Sequence, residues 1–133
     1  MFDILVVEDD AKLNQIYCSA LRNNSFNAVP AFDGEEALNI MTEKNFDLVI
    51  SDIMMPGVDG YELTRELREY YPELPILMIS AKEEFEDKRH GFLAGIDDYM
   101  VKPVDLNEML LRIHAFQKKK KIVSERKLTI GNT

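Results

Sequence analysis

The sequence has too few cysteines and histidines to build a disulfide framework or a soft-metal site. Its one cysteine, Cys18, excludes an internal disulfide. It lies in a helical pattern beside Tyr17 and Leu21 and reads as a small packing residue, and a chain without disulfides suits the cytosol. The two histidines, His90 and His114, fall on separate predicted helices without metal-ligand spacing, and read as surface residues. No run of about 18 apolar residues occurs, which excludes a helical membrane span. The start, MFDILVVEDD, lacks a basic region and meets acids early, so it is not read as a secretory signal. There is no G-x-G-x-x-G and no G-K-[ST] loop, which removes the common nucleotide-binding motifs. Internal repeats and low-complexity segments are missing as well.

What is present is a 133-residue chain, 46% hydrophobic and 30% charged, enough for one compact domain with a sizeable core. Its net charge of −8 is unevenly spread. Residues 1–117 carry 10 basic against 23 acidic side chains, whereas residues 118–133 carry 6 against 1. The body should repel DNA rather than bind it. Lys118 to Lys121 suit the C-terminal end of a helix, where cations oppose the backbone dipole.

Short apolar runs alternate with helical patterns. FDILVV (2–7), NAVPAF (27–32), DLVIS (47–51), PILMIS (75–80) and DYMVK (98–102) read as strands. Pro30 lacks an N–H donor, which places its strand at an edge. Helical patterns cover 11–24, 34–44, 60–71, 83–95 and the stretch beginning DLNEMLLRI at Asp105. In the first helix the expected buried stripe is Leu13, Ile16, Tyr17, Ala20 and Leu21. Asp33 is a plausible N-cap, and Asp105 with Glu108 forms a capping pair. Five strands alternating with five helices predict an α/β, (βα)5 doubly wound parallel sheet, covered on both faces. Ligands of such sheets bind at the carboxyl ends of the strands.

Those strand ends carry polar residues: Glu8-Asp9-Asp10 on the first, Asp52 on the third, Ser80 on the fourth, and Lys102-Pro103 on the fifth. One shared edge would gather carboxylates, a hydroxyl and an ammonium into a single cleft. Carboxylates about 4 Å apart repel by about 4 kcal/mol at an effective dielectric near 20. A cation is needed, and a hard divalent ion such as Mg²⁺ accepts carboxylate and phosphate oxygens. A carboxylate can also act as a nucleophile on phosphorus, forming an aspartyl-phosphate. Lys102 and Ser80 are then available to the phosphoryl oxygens. Asp10, nearest the helix start, reads better as an N-cap, and Pro56-Gly57 supplies the turn after Asp52.

The motifs ILVVEDD, DLVISDIMMPGVDG, PILMISA and DDYMVKP, with 28 residues from Asp52 to Ser80 and 22 from Ser80 to Lys102, resemble the receiver domain of two-component response regulators over residues 1 to about 121. The resemblance implies a CheY-like fold with strand order 2-1-3-4-5, and phosphoryl transfer to Asp52 from a sensor histidine kinase. It implies that Glu8, Asp9 and Asp52, with the Met54 backbone carbonyl, bind Mg²⁺, for which Mn²⁺ can substitute. It makes Lys102 the bridge to the phosphoryl group, Ser80 and Tyr99 a switch pair, and the peptide before Pro103 cis. Glu8 stands where many members carry Asp, and Ser80 where many carry Thr, and both keep the chemistry. Such a domain catalyses only its own phosphoryl transfer and dephosphorylation.

The stretch EDKRHGFLAGIDDYMVKPVDLNEMLLRI is similar to the OmpR/PhoB group of transcription factors, in which a winged-helix DNA-binding domain follows the receiver. Residues 126–133, RKLTIGNT, resemble the first strand of such a domain, with 122–133 as linker and possible start of it, so DNA contact is expected only through a domain absent from this sequence. The same resemblance implies a two-fold homodimer on activation, pairing Lys88 with Glu108, Asp97 with Arg112, and Asp98 with Lys119. A stand-alone receiver, working in a phosphorelay or through protein contacts, is the alternative. A Mg²⁺-dependent phosphatase of the haloacid dehalogenase type needs a second Asp two residues after the nucleophile, and Met54 holds that position.

Overall fold

The computed structural model describes residues 1–55, 57–81 and 95–131, with side chains described as far as Val123. Its elements are β1 (Asp3–Val7), α1 (Ala11–Asn23), β2 (Asn27–Ala31), α2 (Gly34–Glu43), β3 (Leu48–Asp52), α3 (Gly60–Tyr70), β4 (Ile76–Ala81), β5 (Asp98–Lys102) and α4 (Leu106–Gly131). The helix expected over 83–95 lies, Gly95 apart, outside the described residues, and so do His90 and Lys88.

The strands form one parallel sheet in the order β2-β1-β3-β4-β5. Pro30 sits on the edge strand β2 opposite Val6, where one side of the strand needs no ladder donor. Alternate strand residues divide the interior into two cores. Leu5, Val7, Val49, Ile76, Met78 and Tyr99 pack beneath α2 and α3. Ile4, Val6, Leu48, Ile50, Leu77, Ile79 and Met100 pack beneath α1 and α4, where Cys18 is also buried. Both faces are covered, so the strands read as continuous apolar runs.

The helix starts follow the sequence chemistry. Asp10 accepts from the Lys12 and Leu13 N–H groups, Asp33 from Glu36, and Asp59 from Glu62. Asp105 caps α4 through Asn107 and Glu108, but the Glu108 side chain turns to Arg112 instead of closing the capping pair. His114 is exposed and packs its ring 5.3 Å from that of Phe26.

Two expectations need correction. The buried stripe of α1 is Asn14, Tyr17, Cys18 and Leu21, while Ile16 is 45% exposed. The spacing i, i+3, i+4, i+7 was present, but its first member is polar. Residues 122–131, expected as linker with a possible strand from 126, are helical throughout, as are Lys118 to Lys121, which were read as a helix end. A strand needs a neighbour for its backbone groups, and the described sheet pairs only β1 to β5.

Candidate functional site

The carboxyl ends of β1, β3 and β5 open on one edge of the sheet, with β1 beside β3 and β4 between β3 and β5, and each delivers its charged residue to one cleft. Asp52 is the last residue of β3 and is buried. The chain then turns through Gly57, whose φ of +75° favours glycine, and re-enters a helix at Gly60. A Cβ at Gly60 would stand 2.5 Å from the Asp52 carbonyl oxygen. Only glycine lets the start of α3 approach the end of β3 this closely. The abrupt break after an apolar strand therefore serves to hold Asp52 at the sheet edge.

Lys102, the last residue of β5, reaches across β4 to place Nζ 2.8 Å from Asp52 Oδ2 and 3.1 Å from Glu8 Oε1. The Met54 N–H donates to Asp52 Oδ1 at 3.3 Å, and the Asp10 N–H donates to Glu8 Oε2 at 3.1 Å. Glu8, Asp9 and Asp52 each bring a carboxylate oxygen within 4.8 Å of the others. Glu8 and Asp52 are buried, while Asp9 faces solvent. The Lys102–Pro103 peptide is cis.

The Lys102 ammonium thus pairs with the two buried carboxylates of a cluster of three. Burial lifts the Glu8 pKa to about 7. The Asp10 N–H opposes this rise, the Asp52 charge adds to it, and Lys102 offsets it in part. For Lys102, burial alone would lower the pKa, but the hydrogen bonds and charges of Asp52 and Glu8 outweigh it and hold the ammonium above its usual value. The donor set is entirely hard oxygen, in excess of the available positive charge, which fits a divalent cation of the Mg²⁺ type.

Ser80 is wholly buried at the end of β4, and its hydroxyl donates to the Ala81 carbonyl at 3.4 Å. The Tyr99 ring is buried in the core beneath α2 and α3, on the strand adjacent to β4. The side chain of Met54 is 63% exposed at the mouth of the cleft.

Four of the six charges expected to pair between subunits, Asp97, Asp98, Glu108 and Arg112, have partners within the chain. Arg112 bonds Asp98 at 2.5 Å and Glu108 at 2.8 Å. Asp97 bonds Arg68 and the Ile76 N–H. An intersubunit Asp97–Arg112 pair would therefore require both residues to exchange partners. Lys119 is exposed on α4.

The family model for the response regulator receiver domain matches residues 4–114. The chain belongs to the response regulator receiver family. Members are signalling switches rather than conventional enzymes, and control by phosphorylation is general among them. The heme response regulator HssR of Staphylococcus epidermidis is 39% identical over 132 residues, covering 99% of this chain and 58% of the relative. This chain therefore spans less than two thirds of the curated relatives it matches. The receiver domain of the Francisella response regulator 1452 is 33% identical with a TM-score of 0.84, covering 90% of this chain and 99% of that one. The Vibrio cholerae chemotaxis protein CheY4 is 30% identical with a TM-score of 0.83, covering 87% and 98%. The five parallel strands in order 2-1-3-4-5 are the CheY-like receiver fold. No helix among the described residues is long and apolar enough to cross a membrane.

One buried polar residue at this site was missed from the sequence. Asn14 lies under Glu8, and its amide bonds backbone carbonyls at the ends of β1 and β2. Its signal was the α1 spacing, visible once a polar residue is allowed in the stripe.

Proposed function

We propose that this receiver accepts a phosphoryl group on Asp52 from the phosphohistidine of a sensor histidine kinase. The observation that carries the reading is the Lys102 ammonium 2.8 Å from a buried carboxylate that two further acids flank. An Asp52 oxygen attacks phosphorus, the new O–P bond forms as the P–N bond breaks, and the imidazole nitrogen keeps the electron pair and takes a proton. Glu8, Asp9, Asp52 and the Met54 carbonyl would hold Mg²⁺, which supplies positive charge for the phosphoryl oxygens. Lys102 holds one of those oxygens and Ser80 donates to another. Phosphorylation then shifts the balance between two packings of Ser80 and Tyr99.

The output we propose is transcriptional, through a winged-helix domain outside residues 1–133, with an activated homodimer that uses Lys88, Asp97, Asp98, Glu108, Arg112 and Lys119. The greater length of the HssR relatives supports it. A stand-alone receiver draws support from the unbroken helix through residues 118–131.

Incubation with Mg²⁺ and a small phosphodonor, followed by intact mass measurement, tests the assignment. The parent should gain one phosphoryl mass, and removal of Mg²⁺ by a chelator should prevent it. An Asp52→Asn variant that gains the mass at the parent rate would refute it. Lys102→Ala should stay folded yet respond poorly to beryllofluoride in heteronuclear NMR. Parent-like shifts at Ser80 and Tyr99 would remove the bridging role.

A further inference from the structure

Asn14 does something that packing alone does not require. It is wholly buried on α1, in a stripe whose other members are Tyr17, Cys18 and Leu21. Its Nδ2 lies 3.2 Å from the Val6 carbonyl oxygen, 3.1 Å from that of Glu8 and 3.0 Å from that of Ala31. An amide carries two hydrogens, so three carbonyls share them. Its Oδ1 accepts from the Cys18 thiol at 3.2 Å. Burial raises the Cys18 pKa, which keeps the thiol protonated as that donor. The amide orientation is thereby fixed, with oxygen toward the thiol and both hydrogens toward the strand ends.

The place matters more than the number of bonds. β1 ends at Val7, and the chain leaves the ladder at Glu8. The Glu8 N–H still donates to Ala31 at 3.0 Å, and the Ala31 carbonyl also receives Asn14. The Glu8 carbonyl, which belongs to the peptide joining Glu8 to Asp9, is held by the Asn14 amide. That peptide sets the directions of two of the three carboxylates in the cleft. A leucine at position 14 has similar bulk but would leave these carbonyls without the amide donor.

We infer that Asn14 is a positioning residue, fixing the Glu8–Asp9 peptide so that both carboxylates meet Asp52. The inference rests on the reading of the cleft as a cation and phosphoryl site. Groups that orient metal ligands from behind typically change affinity by about 10–100-fold when removed.

The test uses the whole chain and Mg²⁺ alone, titrated by amide NMR shifts at Asp9 and Met54. Asn14→Leu should weaken apparent Mg²⁺ affinity about tenfold. Leu21→Ala, a core truncation on the same helix, should lower the melting temperature but keep parent affinity in the folded protein. In metal-free protein, Asn14→Leu should lose hydrogen-exchange protection at the Glu8 amide selectively, with Leu5 protection falling less. Parent affinity in a folded Asn14→Leu variant overturns the inference while leaving the cation reading intact. A parent chain that shows no Mg²⁺ response removes the cation reading and this inference with it. If Asn14→Leu does not fold, Cys18 supplies the test. Cys18→Ala frees the amide and should weaken Mg²⁺ binding, whereas Cys18→Ser keeps a donor and should restore it. Equal affinity in both Cys18 variants and the parent overturns the inference.

Discussion

The two edges of the sheet use the same residue type in opposite ways. At the amino edge, acids have dedicated partners. Asp97 accepts from the Ile76 N–H at 2.7 Å and from Arg68. Asp47 accepts from the Asp3 N–H and pairs with Lys120, and Asp3 bonds Asn27 and Lys44. At the carboxyl edge, Glu8 and Asp52 share Lys102, and Asp9 lies within 4.8 Å of both. Acids at the amino edge close strand ends and stabilise the fold. Glu8, Asp9 and Asp52 at the carboxyl edge bring three carboxylates together, with one lysine paired to two of them. Helix caps such as Asp10 and Asp33 also stand at the carboxyl edge, and what sets Glu8, Asp9 and Asp52 apart from them is that their carboxylates converge.

Removal of one acid from each edge should therefore change stability in opposite directions. Asp97→Ala leaves the N–H of a wholly buried strand residue without its carboxylate acceptor, and should destabilise by about 2 kcal/mol in urea unfolding. Unchanged stability would mean that water substitutes fully for the carboxylate. Asp52→Asn lowers the repulsion in the cleft and should stabilise the metal-free protein by about 1 kcal/mol. Added Mg²⁺ should raise the parent's stability by mass action and narrow that gap. Destabilisation by Asp52→Asn would erase the contrast between the edges.

The face that carries β5 and α4 sharpens the comparison at smaller amplitude. Arg112→Glu removes the bonds to Asp98 and Glu108 and places like charges together. It should weaken a beryllofluoride-induced dimer in sedimentation velocity by roughly 1 kcal/mol or less, an effect that salt reduces. Asp97→Lys should restore it only in part, because Asp97 also closes β4. A dimer indifferent to Arg112→Glu would refute this face.

The smallest effect concerns pH at Asp3. Its hydrogen bond from Asn27 at 2.6 Å, helped by Lys44, holds its pKa below the ordinary value. A lowered carboxylate pKa contributes stability above the unfolded pKa and loses it as pH falls through the folded one. The stability difference between the parent and Asp3→Asn should therefore be present at pH 7 and vanish in acid, at about 0.5 kcal/mol or less. A difference that grows in acid would reverse the sign.

Much of this fold was legible because local rules and burial agree. Apolar runs of five or six residues, each followed by a polar residue, mark strands covered on both sides and ending at one edge. Asp10, Asp33 and Asp105 announce helix starts through bonds that span two or three residues. Pro30 announces an edge strand because it cannot donate. Asp52, Glu8, Asp9 and Lys102 were legible as a group because a parallel sheet brings its carboxyl ends together.

Asn14 was hidden by its type, since a polar residue is not counted in an apolar stripe, and its partners come from two strands. Asp97 was hidden by distance: its partners Arg68 and Ile76 lie 29 and 21 residues away. Residues 126–131 resemble a strand in sequence yet continue α4. The sequence by itself determined the five strands, the helices α1 to α3 and the start of α4, where the strands end and which charges those ends carry, because hydrophobic period and capping act over a few residues. Only the tertiary structure decided which acids would be paired, which would share one lysine, and which amide would hold the strand ends. Those outcomes depend on distances of about 3 Å between residues that only the folded sheet brings together.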